Sequence, residues 1–193
     1  MTTWIAFFRG INVGGHHIVP MQALKSLLSG MGCDGVATYI QSGNVIFRHQ
    51  LNDAKALSSE IAEAMESQFG FKPQVLLLTR QQLATCAMDN PFSEGGLEPK
   101  TLHLWFLSAR PQNADVDGIN KLKSASESFK LSLNVFYLHA PDGIGRSKLA
   151  AKVEKLLGVP ATSRNWRTVT KVLELAQQVS SQEPAEAGSC GAN

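Results

Sequence analysis

Val36-Ala37-Thr38-Tyr39-Ile40-Gln41-Ser42-Gly43-Asn44-Val45-Ile46-Phe47 reads as two strand runs, Val36–Ile40 and Asn44–Phe47, folded back on each other at Gln41-Ser42-Gly43. A short polar connector with a glycine between two β-rich runs is a hairpin signal. Toward the N-terminus, Trp4–Phe8 is a further apolar strand run, ended by Arg9-Gly10 and followed by a Gly/Asn-rich loop, Ile11–His17. Pro20 suits the first turn of a helix, in which Met21, Leu24, Leu27, Leu28 and Met31 recur at helical spacing before Gly30 and Gly32. Toward the C-terminus, Asn52 or Asp53 can cap a helix with Leu57, Ile61, Met65 and Phe69 on one face, stopped by Gly70, and Gln74–Thr79 is a fourth strand. The order β-α-β-β-α-β is that of a ferredoxin-like unit.

The second half repeats most of that order. Arg80–Met88 reads as a short helix ended by Asn90-Pro91, and the Gly/Pro/Glu-rich stretch Ser93–Lys100 as a boundary. Thr101–Leu107 is a strand, Asp115–Ala125 a helix, and Phe129–Leu133 with Val135–His139 a second hairpin. Ser147 can cap a helix bearing Leu149, Val153, Leu156 and Leu157, and a last helix runs from about Arg164 to Val179. The expectation is an α+β fold of two ferredoxin-like-type subdomains, residues 1–90 as β-α-β-β-α-β and 101–179 as β-α-β-β-α-α, with a disordered tail at 180–193. Ser42-Gly43-Asn44-Val45-Ile46-Phe47 against Ser132-Leu133-Asn134-Val135-Phe136-Tyr137 suggests an internal duplication.

Composition bounds the function classes. The chain has 193 residues, 44% hydrophobic, with a formal net charge of +2, too weak to imply nucleic acid by itself. Three cysteines, Cys33, Cys86 and Cys190, are an odd set without CxxC spacing, as expected of a reducing compartment. The N-terminus lacks the basic region of a signal peptide, and the longest aliphatic block, Val75–Leu78, is far short of a membrane span. A cytoplasmic protein without membrane association is expected.

Chemistry concentrates between Gly143 and Lys171. Arg146, Lys148, Lys152, Lys155, Arg164, Arg167 and Lys171 face one acid, Glu154, a surplus of +6 within 29 residues. Arg146 and Lys148 flank Ser147 at one predicted helix start, and Arg164 and Arg167 occupy the first turn of the next, where the helix dipole disfavours cations. A bound anion would offset them, as would carboxylates of the chain itself, with Asp142, Glu94 and Glu98 as candidates. Arg164, Arg167 and Lys171 also fall on one helical stripe, which as a plain reading is a solvated basic face. Gly143-Ile144-Gly145-Arg146-Ser147-Lys148 lacks the order of a Walker loop, and Arg9–Gly15 lacks GxGxxG spacing. The five histidines show no ligand spacing and no GxSxG elbow is present, so no metal and no cofactor are expected. Arg9 and Asn12 at a strand end, and Ser42 and Asn44 in the hairpin turn, join the site only if their loops converge on it.

Five stretches together resemble one family: Phe8–Gly15, Thr38–Val45, Asn90-Pro91-Phe92, Asp142–Leu149 and Arg164–Lys171. The chain resembles the bacterial family called domain of unknown function 1697 over about residues 3 to 178. That resemblance implies an α+β fold of two related ferredoxin-type subdomains and transfers no activity. The leading expectation is a binding protein for a phosphate-bearing ligand, a nucleotide or nucleic acid segment. Arg146, Lys148, Arg164, Arg167 and Lys171 would grip phosphate, with backbone donors near Ser147 and Asn165. The alternatives are an enzyme acting on a phosphorylated small molecule, using Asp142 or His139 as acid or base, and a structural basic cluster without a ligand.

Overall fold

A computed structural model describes residues 1–93 and 96–181; Glu94, Cys190 and the expected disordered tail beyond Ser181 lie outside them. The chain divides into two units, Met1–Arg80 with Glu174–Asn193, and Gln81–Leu173. Each holds a four-stranded antiparallel sheet, so the fold is α+β.

In the first unit the elements are β1 (Thr2–Phe8), α1 (Met21–Gly30), β2 (Asp34–Tyr39), β3 (Asn44–His49), α2 (Ala54–Phe69) and β4 (Val75–Thr79). The sheet order is β2-β3-β1-β4, which places the Trp4–Phe8 run between two partners. Side chains alternate across a strand. Trp4, Ala6 and Phe8 therefore share a face with Val45 and Phe47 and pack with Leu24, Leu28, Leu57, Ile61 and Met65 of the helices. Ile5, Phe7 and Ile46 on the opposite face are buried too. The Asp53 carboxylate accepts hydrogen bonds from the backbone N–H of Lys55 and Ala56, and Gly70 ends α2 in the left-handed region.

The hairpin turn is pinned to the end of β1. The Phe8 N–H donates to the Gly43 carbonyl at 2.8 Å, and the fully buried Asn44 amide donates to the Tyr39 carbonyl and the Ser42 Oγ. Gly43 has φ +73°, and a Cβ there would lie 2.7 Å from Phe8 Cβ and 2.8 Å from Ile11 Cδ1.

In the second unit come α3 (Arg80–Met88), β5 (Leu102–Leu107), α4 (Val116–Leu122), β6 (Ser128–Leu131), β7 (Val135–His139), α5 (Val153–Leu157), β8 (Ala161–Asn165) and the start of α6 (Trp166–Ser181). The sheet order is β6-β7-β5-β8. Trp105, Phe136, Leu138, Ile119, Leu149, Val153 and Leu157 form its core between sheet and helices. The Tyr137 hydroxyl donates to the Cys86 carbonyl at 2.9 Å, tying α3 to β7. No helix of the described residues is long and apolar enough to cross a membrane.

Two sequence expectations are corrected. The second half does not end α-α: Ala161–Asn165 is a strand paired antiparallel with β5, so Arg164 lies on a strand and α6 begins at Trp166. The helix expected from Ser147 is one 3-10 turn, Ala150–Lys152, followed by the five-residue α5, with a further 3-10 turn, Ile144–Arg146, before Ser147.

Gly43→Ala should lower stability by about 2–4 kcal/mol, the left-handed penalty plus the cost of crowding Phe8 and Ile11; chemical unfolding measures it, and an unchanged midpoint would mean the turn is free to move. His103, on β5, is held below the usual histidine range by burial, partly opposed by a backbone contact with Thr101. Its folded-state pKa lies under its unfolded value, so the unfolded chain takes up the proton first. Stability due to the neutral ring is complete above pH ~6.5 and is lost as pH falls through the folded value. The stability of wild type relative to His103→Gln should therefore drop from pH 7 to 5, and parallel curves would refute the assignment.

Candidate functional site

The second unit contains a cleft of about 520 Å³ beside the segment that leaves β7. Gly143, at φ +93°, lets the chain reverse after Ala140, with the Gly143 N–H donating to the Ala140 carbonyl at 3.0 Å. The Arg146 N–H then donates to the Gly143 carbonyl at 3.1 Å and the Ser147 N–H to the Ile144 carbonyl at 3.1 Å. The Ser147 hydroxyl accepts from the Ala150 N–H at 2.9 Å, while the fully buried Leu149 anchors the segment in the core. Arg146, Ser147 and Lys148 thereby line one wall.

The other wall comes from the end of α4 and the loop after it. Lys121, Ser124 and Glu127 line it, with Asp142 at the turn. Both carboxylates are held by local donors. The Ser126 hydroxyl donates to Asp142 Oδ2 at 2.6 Å, and the Ser124 N–H donates to Glu127 Oε2 at 2.9 Å. The Lys123 ammonium bonds the Glu127 carbonyl at 3.0 Å, which closes the loop. No ion pair among the described residues involves Lys121, Arg146 or Lys148. The cleft therefore presents three cations to solvent, with two serines in its lining and two carboxylates already held by neighbours.

The remaining expected residues lie elsewhere. Arg164 is partly buried on β8 opposite Leu104, its guanidinium donating to the Ser163 carbonyl at 2.8 Å. Burial pushes its pKa down to about 10, which leaves it a cation at neutral pH. The Asn165 side chain accepts from the Thr168 N–H at 2.8 Å and so caps α6 itself. Arg167 is exposed in the first turn of α6 and Lys171 half-buried one turn on; none of these four lines the cleft. The dipole argument for cations at two helix starts therefore holds only for Arg167, since Arg146 ends a 3-10 turn and Arg164 is in a strand. Among the proposed internal carboxylates, Glu98 pairs with Lys100.

In the first unit, Asn12 is engaged by the fold. Its amide donates to the Val19 and Gln41 carbonyls, at 3.0 and 2.9 Å, and its oxygen accepts from the Val19 N–H at 2.7 Å. Ser42 and the buried Asn44 bond each other within the hairpin turn. Arg9 bonds the Gln74 side chain at 3.0 Å in a separate cleft of about 480 Å³ shared with Lys72 and the stacked His17–Phe71 pair. Among the described residues no group of three or more His, Cys, Asp or Glu is placed to hold a metal ion.

Sequence reasoning missed Lys121, Ser124 and Glu127. A lysine in the last turn of a helix is the ordinary complement to the dipole there, so nothing in the pattern set Lys121 apart.

Residues 1–137 match the family described as "Protein of unknown function (DUF1697)". No curated protein matches the sequence. Among solved structures, the conserved bacterial protein SP0830 from Streptococcus pneumoniae is similar, at 24% identity with a TM-score of 0.63, over 91% of this chain and 98% of that one. That likeness shows the fold alone.

Removing a partly buried cation and an exposed one should differ. Arg164→Ala should cost about 1–3 kcal/mol of stability and Arg146→Ala no more than about 0.5 kcal/mol. Denaturant midpoints of the two variants check this, and equal losses would mean that Arg146 is part of the scaffold.

Proposed function

Because the chain belongs to the family described as Protein of unknown function (DUF1697), whose description assigns no activity, we propose its function from the site itself: the protein binds a small phosphate-bearing ligand in the cleft of its second unit. The observation that carries this reading is the convergence of Lys121, Arg146 and Lys148, none in an ion pair among the described residues, on one cleft of about 520 Å³. Clefts of this size suit small molecules. An arginine fork, two ammonium groups and the Ser147 hydroxyl are donors that phosphate oxygens accept from. A nucleotide fits this chemistry better than a nucleic acid segment, because Arg164 lies on strand β8 and so falls off the helical stripe of Arg167 and Lys171. An enzyme acting on a phosphorylated small molecule is a second reading, favoured by Asp142 lining the same cleft.

The wider reading is a cytoplasmic anion-binding protein built from two ferredoxin-like units related by internal duplication. Two features support it. The sheets share an order, β2-β3-β1-β4 and β6-β7-β5-β8, in which the first strand of each unit is central and its last lies at one edge. Cys33 and Cys86 are free thiols pushed up by burial to about 12 and about 11, chemistry that suits a reducing compartment.

Inorganic phosphate titrated by calorimetry should bind, and binding should weaken as salt is raised. Arg146→Ala and Lys148→Ala should each weaken it about 10-fold or more, the loss of one charge-assisted hydrogen bond. Undiminished binding in both variants, or none in wild type at low salt, overturns the reading.

A further inference from the structure

The carboxylate in the cleft is arranged as an acceptor. Asp142 Oδ2 takes the Ser126 proton at 2.6 Å, and the Ser126 hydroxyl oxygen lies 3.0 Å from Ser124 Oγ. With the Ser126 proton directed at Asp142, Ser124 is the donor of that second contact. The relay Ser124 to Ser126 to Asp142 fixes the carboxylate on the loop side of the cleft. Among the described residues no group bonds Asp142 Oδ1. Arg146 follows four positions later across a single 3-10 turn, so an anionic acceptor and the cationic wall stand at the two ends of Asp142–Arg146.

A ligand made only of phosphate gains nothing from Asp142 and is repelled by it. A ligand carrying donors next to its phosphate uses both ends of the turn. A charged ammonium donor would sit among Lys121, Arg146 and Lys148, whereas neutral hydroxyls meet no such repulsion. A carboxylate has lone pairs enough for two adjacent hydroxyls, as in the reading of ribose hydroxyls by acidic residues.

We propose, resting on the phosphate reading above, that the cleft recognises a phosphorylated polyol: its phosphate lies against Arg146 and Lys148 and its adjacent hydroxyls donate to Asp142. Asp142 is the residue that separates a hydroxylated phosphate ester from a plain one.

The test compares three probes by calorimetry on the full chain: inorganic phosphate, n-propyl phosphate and glycerol 3-phosphate. The two esters share a carbon count and differ by two hydroxyls. Wild type should bind glycerol 3-phosphate about tenfold or more tighter than n-propyl phosphate, the worth of hydrogen bonds to a charged acceptor. Asp142→Asn should erase most of that gap while leaving inorganic phosphate bound at least as well. Ser126→Ala, which frees the carboxylate to rotate, should narrow the gap without closing it. Equal affinity of wild type for the two esters, or an equal loss for both in Asp142→Asn, overturns the polyol proposal while the phosphate reading stands. Failure of all three probes to bind wild type overturns both.

Discussion

Each sheet depends on a strand that must pair on both sides. β1 sits between β3 and β4, and β5 between β7 and β8. A strand so placed has its backbone groups in ladders along both edges, and burial on both faces then demands an unbroken apolar run. Trp4–Phe8 meets that demand outright, and Leu102–Leu107 meets it except at His103, with every residue of both runs buried. The hairpins dock on one edge and the later strand on the other. What such a framework leaves open is its connections, and the cleft is built from two of them: the loop after α4 and the turn after β7.

Those connections explain why the cations are unpaired. The turn after β7 is set by backbone bonds through Gly143 and Ile144 and by the buried Leu149, so Arg146 and Lys148 are carried to the surface whatever their charge. The loop after α4 uses its carboxylates on its own donors, Glu127 on the Ser124 N–H and Asp142 on Ser126. Bonds to neutral donors leave a carboxylate's charge in place, so the cleft holds both signs at short range without ion pairs closing across it. Exposed pairs of that kind contribute roughly 0–1 kcal/mol, so stability gains little from closing them, and the groups stay available to a ligand.

The first unit was legible because its signals were long or chemically specific. Trp4–Phe8 is too apolar to be anything but buried, Asp53 and Gly70 bracket α2, and the turn at Gly43 carries the glycine its left-handed backbone requires. β8 was not legible. Ala161-Thr162-Ser163-Arg164-Asn165 has two buried residues, and it is a strand because β5 offers a free edge, a tertiary cause with no local signature. Starting the last helix at about Arg164 moved that residue from a strand to a helix terminus, and with it one of the five side chains expected to grip phosphate. Asn12 and Asn44 show the opposite limit: polar loop residues look like ligand contacts in a sequence, and here their amides hold the loop and the hairpin turn.

The place of Arg164 on β8 also bears on what kind of phosphate fits. Affinity for a nucleic acid backbone grows with the number of phosphates neutralised, which needs cations repeated along an extended surface. A stripe on α6 would have supplied such a repeat, but Arg164 lies on β8 and Lys171 is half-buried, leaving Arg167 as its exposed member. Lys121, Arg146 and Lys148 are gathered instead around a single cleft that also holds a carboxylate. A carboxylate in that position repels a second phosphate placed beside it and accepts from neutral donors. On the proposed reading, that electrostatic pattern suits a compact ligand with one anionic end and one hydroxylated end.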